Sequence, residues 1–154
     1  MIPKYRMETK NSNLVLVREK TYKTKFCCKN PKDVAKFCIN NLKLKYAPEE
    51  YVYVIALNTS GDIIGLFEIS HGCINASICS PREIFIRLLL CGAAQFICVH
   101  NHPSGNTNPS NDDMNTFNHL YQSGKILNVP IVDYIIVGKK EEGYTSFKER
   151  GDLR

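Results

Sequence analysis

Apolar and polar positions sort this chain into strand-like and helix-like stretches that follow one another. The run Tyr51–Asn58 is built almost wholly of Tyr, Val, Ile, Ala and Leu and predicts the clearest strand. A turn at Thr59-Ser60-Gly61-Asp62 separates it from Ile63–Ile69, so the two runs predict a hairpin, and Cys73–Cys79 is expected to continue the meander. Asn13–Arg18 is a shorter β-rich run and predicts an edge strand. Helical spacing appears at Val34, Phe37, Cys38, Ile39 and Leu42, behind a Pro31-Lys32-Asp33 start, and predicts a helix ending near Lys43. Pro81-Arg82-Glu83 opens a second helix carrying Ile84, Phe85, Leu88 and Leu89 as far as Cys91-Gly92. Beyond it the pattern predicts a strand over Ala94–Val99 and a helix over Ser110–Ser123. That helix has Met114, Phe117, Leu120 and Tyr121 on its apolar face and Gly124 as its stop. Ile131–Val137 predicts another strand, and a short Tyr144–Phe147 strand follows the Glu141-Glu142-Gly143 turn. Strands interrupted by helices predict an α/β layered sheet.

Composition leaves this picture standing. A chain of 154 residues with 44% hydrophobic and 23% charged residues suits one globular domain with, at most, an additional arm. No apolar run approaches the roughly 20 residues that span a bilayer, and the charged start, Met1–Arg6, is followed by no apolar segment. The expectation is a cytoplasmic protein without membrane contact. Seven cysteines are an odd number, and Cys38, Cys73, Cys79, Cys91 and Cys98 lie in apolar or small-residue surroundings, which predicts buried free thiols rather than a disulfide framework. Cys27-Cys28 is a vicinal pair without the CxxC spacing of zinc or redox motifs.

Charge is distributed unevenly. Residues 1–50 hold 12 of the 20 Lys/Arg against 5 of the 15 Asp/Glu, whereas the remainder is slightly acidic. Residues 1–45 are therefore read as a basic arm, a strand plus a helix packed on the core, and 46–154 as the main domain. Such an arm either touches nucleic acid weakly through phosphates or is a solvated lysine-rich surface.

The candidate chemistry lies in His100-Asn101-His102-Pro103-Ser104-Gly105-Asn106-Thr107-Asn108-Pro109-Ser110-Asn111-Asp112-Asp113. Residues two apart at the end of a strand project from one face, so His100 and His102 would point together. The Pro/Gly/Asn-rich turn lets Asp113 return to the same place. Two imidazoles, one carboxylate and a position open to water form the ligand set of a catalytic zinc. Ser110 and Asp113 also have the spacing of a capping box, in which Asp113 would serve only the helix backbone. The letters His-Asn-His do not make an HNH nuclease, whose residues are spread over a longer ββα unit. His71 and His119 are isolated, and Arg82 with Glu83 reads as a structural ion pair or part of a cleft.

His100-x-His102, Ser110 and Asp113 resemble the metal signature of the JAMM metallo-hydrolases, also called MPN+ or JAB. The longer string with Pro103-Ser104-Gly105 and Pro109-Ser110 is similar to the RadC branch. Asn75-Ala76-Ser77, Pro81-Arg82-Glu83-Ile84-Phe85, Asp133 before Ile135-Ile136-Val137-Gly138, and Ser146-Phe147 before Glu149-Arg150-Gly151 agree in order, so the resemblance covers residues 48–151. It implies a JAB/MPN-like curved mixed β-sheet flanked by helices. It also implies a Zn²⁺ held by His100, His102 and Asp113, and a glutamate general base at the start of an early strand. Glu50 matches that placement best, with Glu68, Glu83 and the adjacent Glu49 as alternatives. Ser110 resembles the serine that helps hold the oxyanion. By the same resemblance the bond cut is an amide or isopeptide in a protein or peptide-type substrate. The branch is named for DNA repair, so a DNA-associated factor or nuclease, or a non-catalytic interaction module, are the other readings. Two positions depart from the pattern: Tyr134 stands where a His is usual after Asp133, and Cys73 where a Thr is common. Residues 1–45 show none of the helix-hairpin-helix pattern of full-length RadC proteins.

Overall fold

The computed structural model describes residues 1–24, 28, 30–72, 79–140 and 142–153. Among the described residues seven strands form one mixed sheet: β1 Ile2–Lys10, β2 Asn13–Tyr22, β3 Tyr51–Leu57, β4 Ile63–His71, β5 Gln95–Asn101, β6 Ile131–Val137 and β7 Tyr144–Ser146. Their order is β2-β1-β4-β3-β5-β6-β7. β1 runs parallel to β4 and β5 parallel to β6, while the remaining pairs are antiparallel. Among the described residues four helices accompany the sheet: α1 Pro31–Asn41, α2 Pro81–Leu90, α3 Asn111–Leu127 and α4 Phe147–Arg150.

Side-chain alternation along the central strands divides the interior in two. Val54, Ala56, Phe96, Cys98, Tyr134 and Ile136 face a core shared with α2, α3 and α4. Tyr53, Ile55, Leu57, Ile97, Val99, Ile135 and Val137 face the core under α1. Because β3, β5 and β6 are covered on both faces, they read in sequence as nearly continuous apolar runs rather than alternating ones. The fold is a mixed α/β sheet flanked by helices, as expected.

Several boundaries differ from the expectation, each for a local reason. β1 went unpredicted, because Lys4, Arg6, Glu8 and Lys10 interrupt its apolar residues. It exists by pairing with β2 across the Asn11-Ser12 turn, where φ is +48° and +64°, and with β4 at Lys4 and Tyr5. β2 is an edge strand, as expected, but extends to Tyr22. Residues 2–22 thus belong to the same sheet as the rest. α1 stops at Asn41, ahead of a left-handed Lys43 (φ +60°) that opens a single 3-10 turn, Leu44–Tyr46. α3 does not stop at Gly124 but continues to Leu127 and closes on Asn128 in the left-handed conformation. Gly124 is there for close approach: a Cβ would lie 2.7 Å from the Val129 carbonyl oxygen. The last strand ends at Ser146, not Phe147, since the Ser146 hydroxyl accepts from the Glu149 N–H and starts α4. Cys73 to Ile78, Cys27 and Glu141 lie outside the described residues. Among the described residues no helix is long and apolar enough to cross a membrane.

Candidate metal centre

β5 lies between β3 and β6, so the backbone around His100 is held from both sides, opposite Val52 and Ile136. The His100 residue is 1% exposed. One residue past the strand, the His102 N–H donates to the Val137 carbonyl (3.0 Å), and the His102 Nδ1 lies 2.7 Å from the Asn106 carbonyl oxygen. That contact suits a proton on Nδ1, so that Nε2 is the nitrogen that takes a cation, or in the ion-free chain a second proton shared with Asp113. Gly105 (φ +85°) makes the reversal possible, and its carbonyl oxygen packs where a Cβ on Gly138 would sit, 2.8 Å away. The loop is thereby seated on the end of β6.

Ser110 caps α3. Its hydroxyl accepts from the Asp113 N–H (3.1 Å), and Asp113 Oδ2 accepts from the Ser110 N–H and hydroxyl, both at 2.7 Å. The same carboxylate reaches the histidines: Asp113 Oδ1 is 2.9 Å from His100 Nε2, and Oδ2 is 3.4 Å from His102 Nε2. The capping and site readings of Asp113 therefore hold together, because a carboxylate has enough lone pairs for both. The two Nε2 atoms are 3.0 Å apart, and Glu50 Oε1 lies 3.6 Å from His100 Nε2. Ligand atoms of Glu50, His100, His102 and Asp113 all fall within 4.8 Å of one another.

This cluster fits a divalent cation. Ligands about 2.0–2.1 Å from a tetrahedral zinc lie about 3.3 Å from each other; here the two imidazole Nε2 atoms are 3.0 Å apart, and each lies 2.9 Å or 3.4 Å from one or the other oxygen of the Asp113 carboxylate. Two imidazole nitrogens facing each other beside two carboxylates need a shared cation, either a metal or protons. Electrostatics agree. Burial raises the pKa of Asp113, but hydrogen bonds from His100 and His102 outweigh it and hold the carboxyl well below its usual range. The hydrogen bond to Asp113 raises the pKa of His102, against burial. His100 Nδ1 is buried and has no hydrogen-bond partner among the described residues.

The glutamates separate clearly. Glu50 stands at the cluster. Glu68 receives Lys4 Nζ (2.9 Å) and the Tyr53 hydroxyl (3.0 Å) and lies 3.1 Å from His71 Nδ1. Glu83 is paired with Arg82 (2.9 Å) and Arg87 (3.2 Å), the structural ion pair. The Glu49 carboxylate lies against Gly72, where a Cβ would sit 2.9 Å from Oε2. His71 is not isolated: besides Glu68 it stacks on Tyr51 at 5.3 Å. His119 is exposed on α3.

One contributor to the site was missed in the sequence, and Tyr134 was noticed there only as a departure from the family pattern. Asn101, the middle residue of His-x-His, is 1% exposed. Its side chain donates to the Glu49 carbonyl (3.0 Å) and accepts from the Tyr51 N–H (2.8 Å), bracketing Glu50. The Gly72 N–H donates to the Glu50 carbonyl, so the residue is fixed from a second side. A polar amide directly after an apolar strand was the available signal. Tyr134 is buried beside the site, its ring 5.3 Å from that of His100. Its neighbour Asp133 accepts from the Tyr134 N–H (2.8 Å), the Ser146 hydroxyl (2.7 Å) and the Lys148 N–H (3.0 Å), tying β6 to β7 and α4. Cys38, Cys79, Cys91 and Cys98 are free thiols, and Cys38 and Cys98 are buried.

Comparison with known proteins places these features in context. The sequence model of the RadC-like JAB domain matches residues 28–152. A UPF0758 protein of Bacillus licheniformis is 36% identical over 131 residues, which cover 85% of this chain and 57% of that protein. One from Clostridium acetobutylicum is 39% identical over 124 residues, covering 80% and 52%. One from Clostridium novyi is 38% identical over 138 residues, covering 88% and 59%. The chain spans little more than half the length of these curated relatives.

Proposed function

The chain belongs to the RadC-like JAB domain family, and from that premise we propose that it is a zinc-dependent hydrolase that cuts an amide or isopeptide bond. The observation carrying this reading is the convergence of His100, His102 and Asp113 with a fourth, freer carboxylate, Glu50, at their side. His100, His102 and Asp113 would hold the ion. Zinc bound there supplies Lewis acidity and brings the pKa of a water in the site to about 7.

The protein's own groups supply the remainder. The Glu50 carboxylate takes the proton of the attacking water and passes it to the leaving nitrogen. Glu50 is suited to this because Asn101 and Gly72 bind the backbone around it while its carboxylate stays part-exposed. The Ser110 hydroxyl, now donating to Asp113 Oδ2, turns its proton toward the oxyanion of the tetrahedral intermediate once that carboxylate oxygen is occupied otherwise. His102 keeps its Nδ1 proton on Asn106 and presents Nε2 throughout.

The test uses zinc-loaded protein and a panel of internally quenched peptides and lysine-linked isopeptides. Hydrolysis by the wild-type chain, with Glu50→Gln retaining zinc but losing at least about 10²-fold in kcat/KM, supports the proposal. Undiminished hydrolysis by Glu50→Gln would remove Glu50 from the reaction.

A further inference from the structure

A groove of about 360 Å³ lies where the single 3-10 turn after α1 meets the start of β3. It is lined by aliphatic Leu42, Ala47 and Pro48, by the ring of Tyr51, and by Lys43 and Tyr46. Lys43 holds the left-handed conformation (φ +60°), which strains a residue with a Cβ, and its carbonyl accepts from the Tyr46 N–H (3.0 Å). The turn buries Leu44 but leaves Tyr46 74% exposed. Among the described residues no carboxylate pairs with Lys43 or Lys45. Lys45 Nζ instead donates to Asn40 Oδ1 (3.5 Å) and lies 5.0 Å from the centre of the Tyr46 ring. The groove is continuous in the chain with Glu50, because Pro48 precedes Glu49-Glu50 and Tyr51 follows them. Tyr51 packs on the α1-side core, whereas Val52, opposite His100, packs on the other. Groove and metal cluster therefore lie on opposite faces of the sheet and approach each other at the first residues of β3.

We propose that this groove docks an extended, acidic peptide segment, seating a proline or leucine side chain among Leu42, Ala47 and Pro48 and a neighbouring carboxylate on Lys43 and Lys45. Charge selects the acid: two lysines without a carboxylate of their own border an otherwise apolar surface. The binding mode follows from the floor. β3 is already paired on both sides, with β4 and β5, so it offers no free edge for strand addition. The segment must bind through its side chains, as polyproline-type segments do in grooves lined by aromatic rings. A single-stranded nucleic acid fits less well, because base stacking needs an open ring face. The Tyr51 ring is already stacked on Tyr53 (6.3 Å) and on His71 (5.3 Å), and the remaining walls are aliphatic. Peptide docking here requires no ion, so the inference stands apart from the hydrolase reading.

The experiment measures fluorescence anisotropy with the full chain and three fluorescein-labelled probes: a repeated Glu-Leu-Pro peptide, its Lys-Leu-Pro counterpart, and an oligothymidylate. The acidic peptide is expected to bind at least about 10-fold more tightly than the basic one, and more weakly as salt is added. Tyr46→Ala and Lys43→Glu should each weaken it by at least about 10-fold. Both side chains are exposed, so these variants should melt near the wild type. Lys43→Gly suits the left-handed backbone and should bind the peptide more weakly while melting no lower than the wild type, which separates a lost contact from a lost fold. Lys125→Glu, on α3 and outside the groove, should leave binding unchanged. Equal binding of the two peptides, undiminished binding by Tyr46→Ala and Lys43→Glu, tighter binding of oligothymidylate with the same losses, or no binding of any probe would each overturn the proposal. Failure of the chain to bind zinc would bear on the hydrolase reading alone.

Discussion

At the scale of single residues, the site is assembled by groups that each satisfy two demands. Asp113 closes a capping box and faces two imidazoles. Asn101 holds the strand entry on which Glu50 rides. Removing it leaves a strand N–H and a carbonyl without their side-chain partner, at about 1–3 kcal/mol in total stability. Asn101→Ala is accordingly expected to lower the melting temperature and to reduce turnover by misplacing Glu50, while zinc content stays near that of the wild type. Loss of the metal in this variant would instead make Asn101 a support of His100 and His102. Glu68 provides the contrast. Its pKa is lowered by Lys4, Tyr53 and His71 against the opposing effect of burial, so its contribution to stability is present above the ordinary glutamate pKa of about 4.3 and is lost as pH falls through its depressed value. Glu68→Gln should weaken the fold at neutral pH and spare the chemistry, as read by melting and turnover on the same preparation.

Elements show what the amino-acid pattern could and could not reveal. The apolar runs of β3, β5 and β6, the proline starts of α1 and α2, and the Ser110 cap of α3 were all legible, because each rests on local chemistry or a long hydrophobic period. β1 was not, since its stability comes from pairing with β2 and β4 rather than from its own mixed sequence. Gly124 misled for a related reason: glycine ends helices through its backbone freedom, but here it admits the Val129 carbonyl. This position offers a test with opposing terms. Gly→Ala inside a helix gains about 0.8–1.0 kcal/mol in propensity, whereas forcing a methyl against backbone in a packed interior costs typically about 1–3 kcal/mol. Because the contact would be 2.7 Å and the opposing atom is backbone, Gly124→Ala should destabilise, measured by denaturant unfolding; a stabilised variant would show that the α3–β6 corner yields easily. Of the residues that the fold brings together, His100, His102 and Asp113 were visible through spacing, and Glu50 only through family resemblance. The long-range partners of Asn101 could not be read, because they join positions about fifty residues apart.

Across the whole molecule, charge bears on both the metal and the basic first third. Much of the cationic character of β1 is matched: Lys4 pairs with Glu19 and Glu68, and Arg6 and Lys10 with Glu8. Arg18 and Lys20 instead lie over tyrosine rings. Any nucleic-acid binding by residues 1–45 is expected to be weak and to fall steeply with salt. The candidate metal centre also gives the protein a pH signature. In the ion-free chain the raised pKa of His102, set chiefly by its hydrogen bond to Asp113, contributes stability that is present below about pH 6.5. That contribution disappears as pH rises through the raised value. Zinc needs the neutral imidazole, so the melting temperature gained on adding zinc should grow from pH 6 to pH 8; a gain independent of pH would argue that His102 is not a ligand. The most direct measurement is the metal content of the purified chain by elemental analysis, made together with circular dichroism. One zinc per chain is predicted for the wild type and for Glu50→Gln, and its loss for His102→Ala and Asp113→Ala that remain folded. A folded wild-type chain that takes up no zinc, or ligand variants that keep it, would contradict the account.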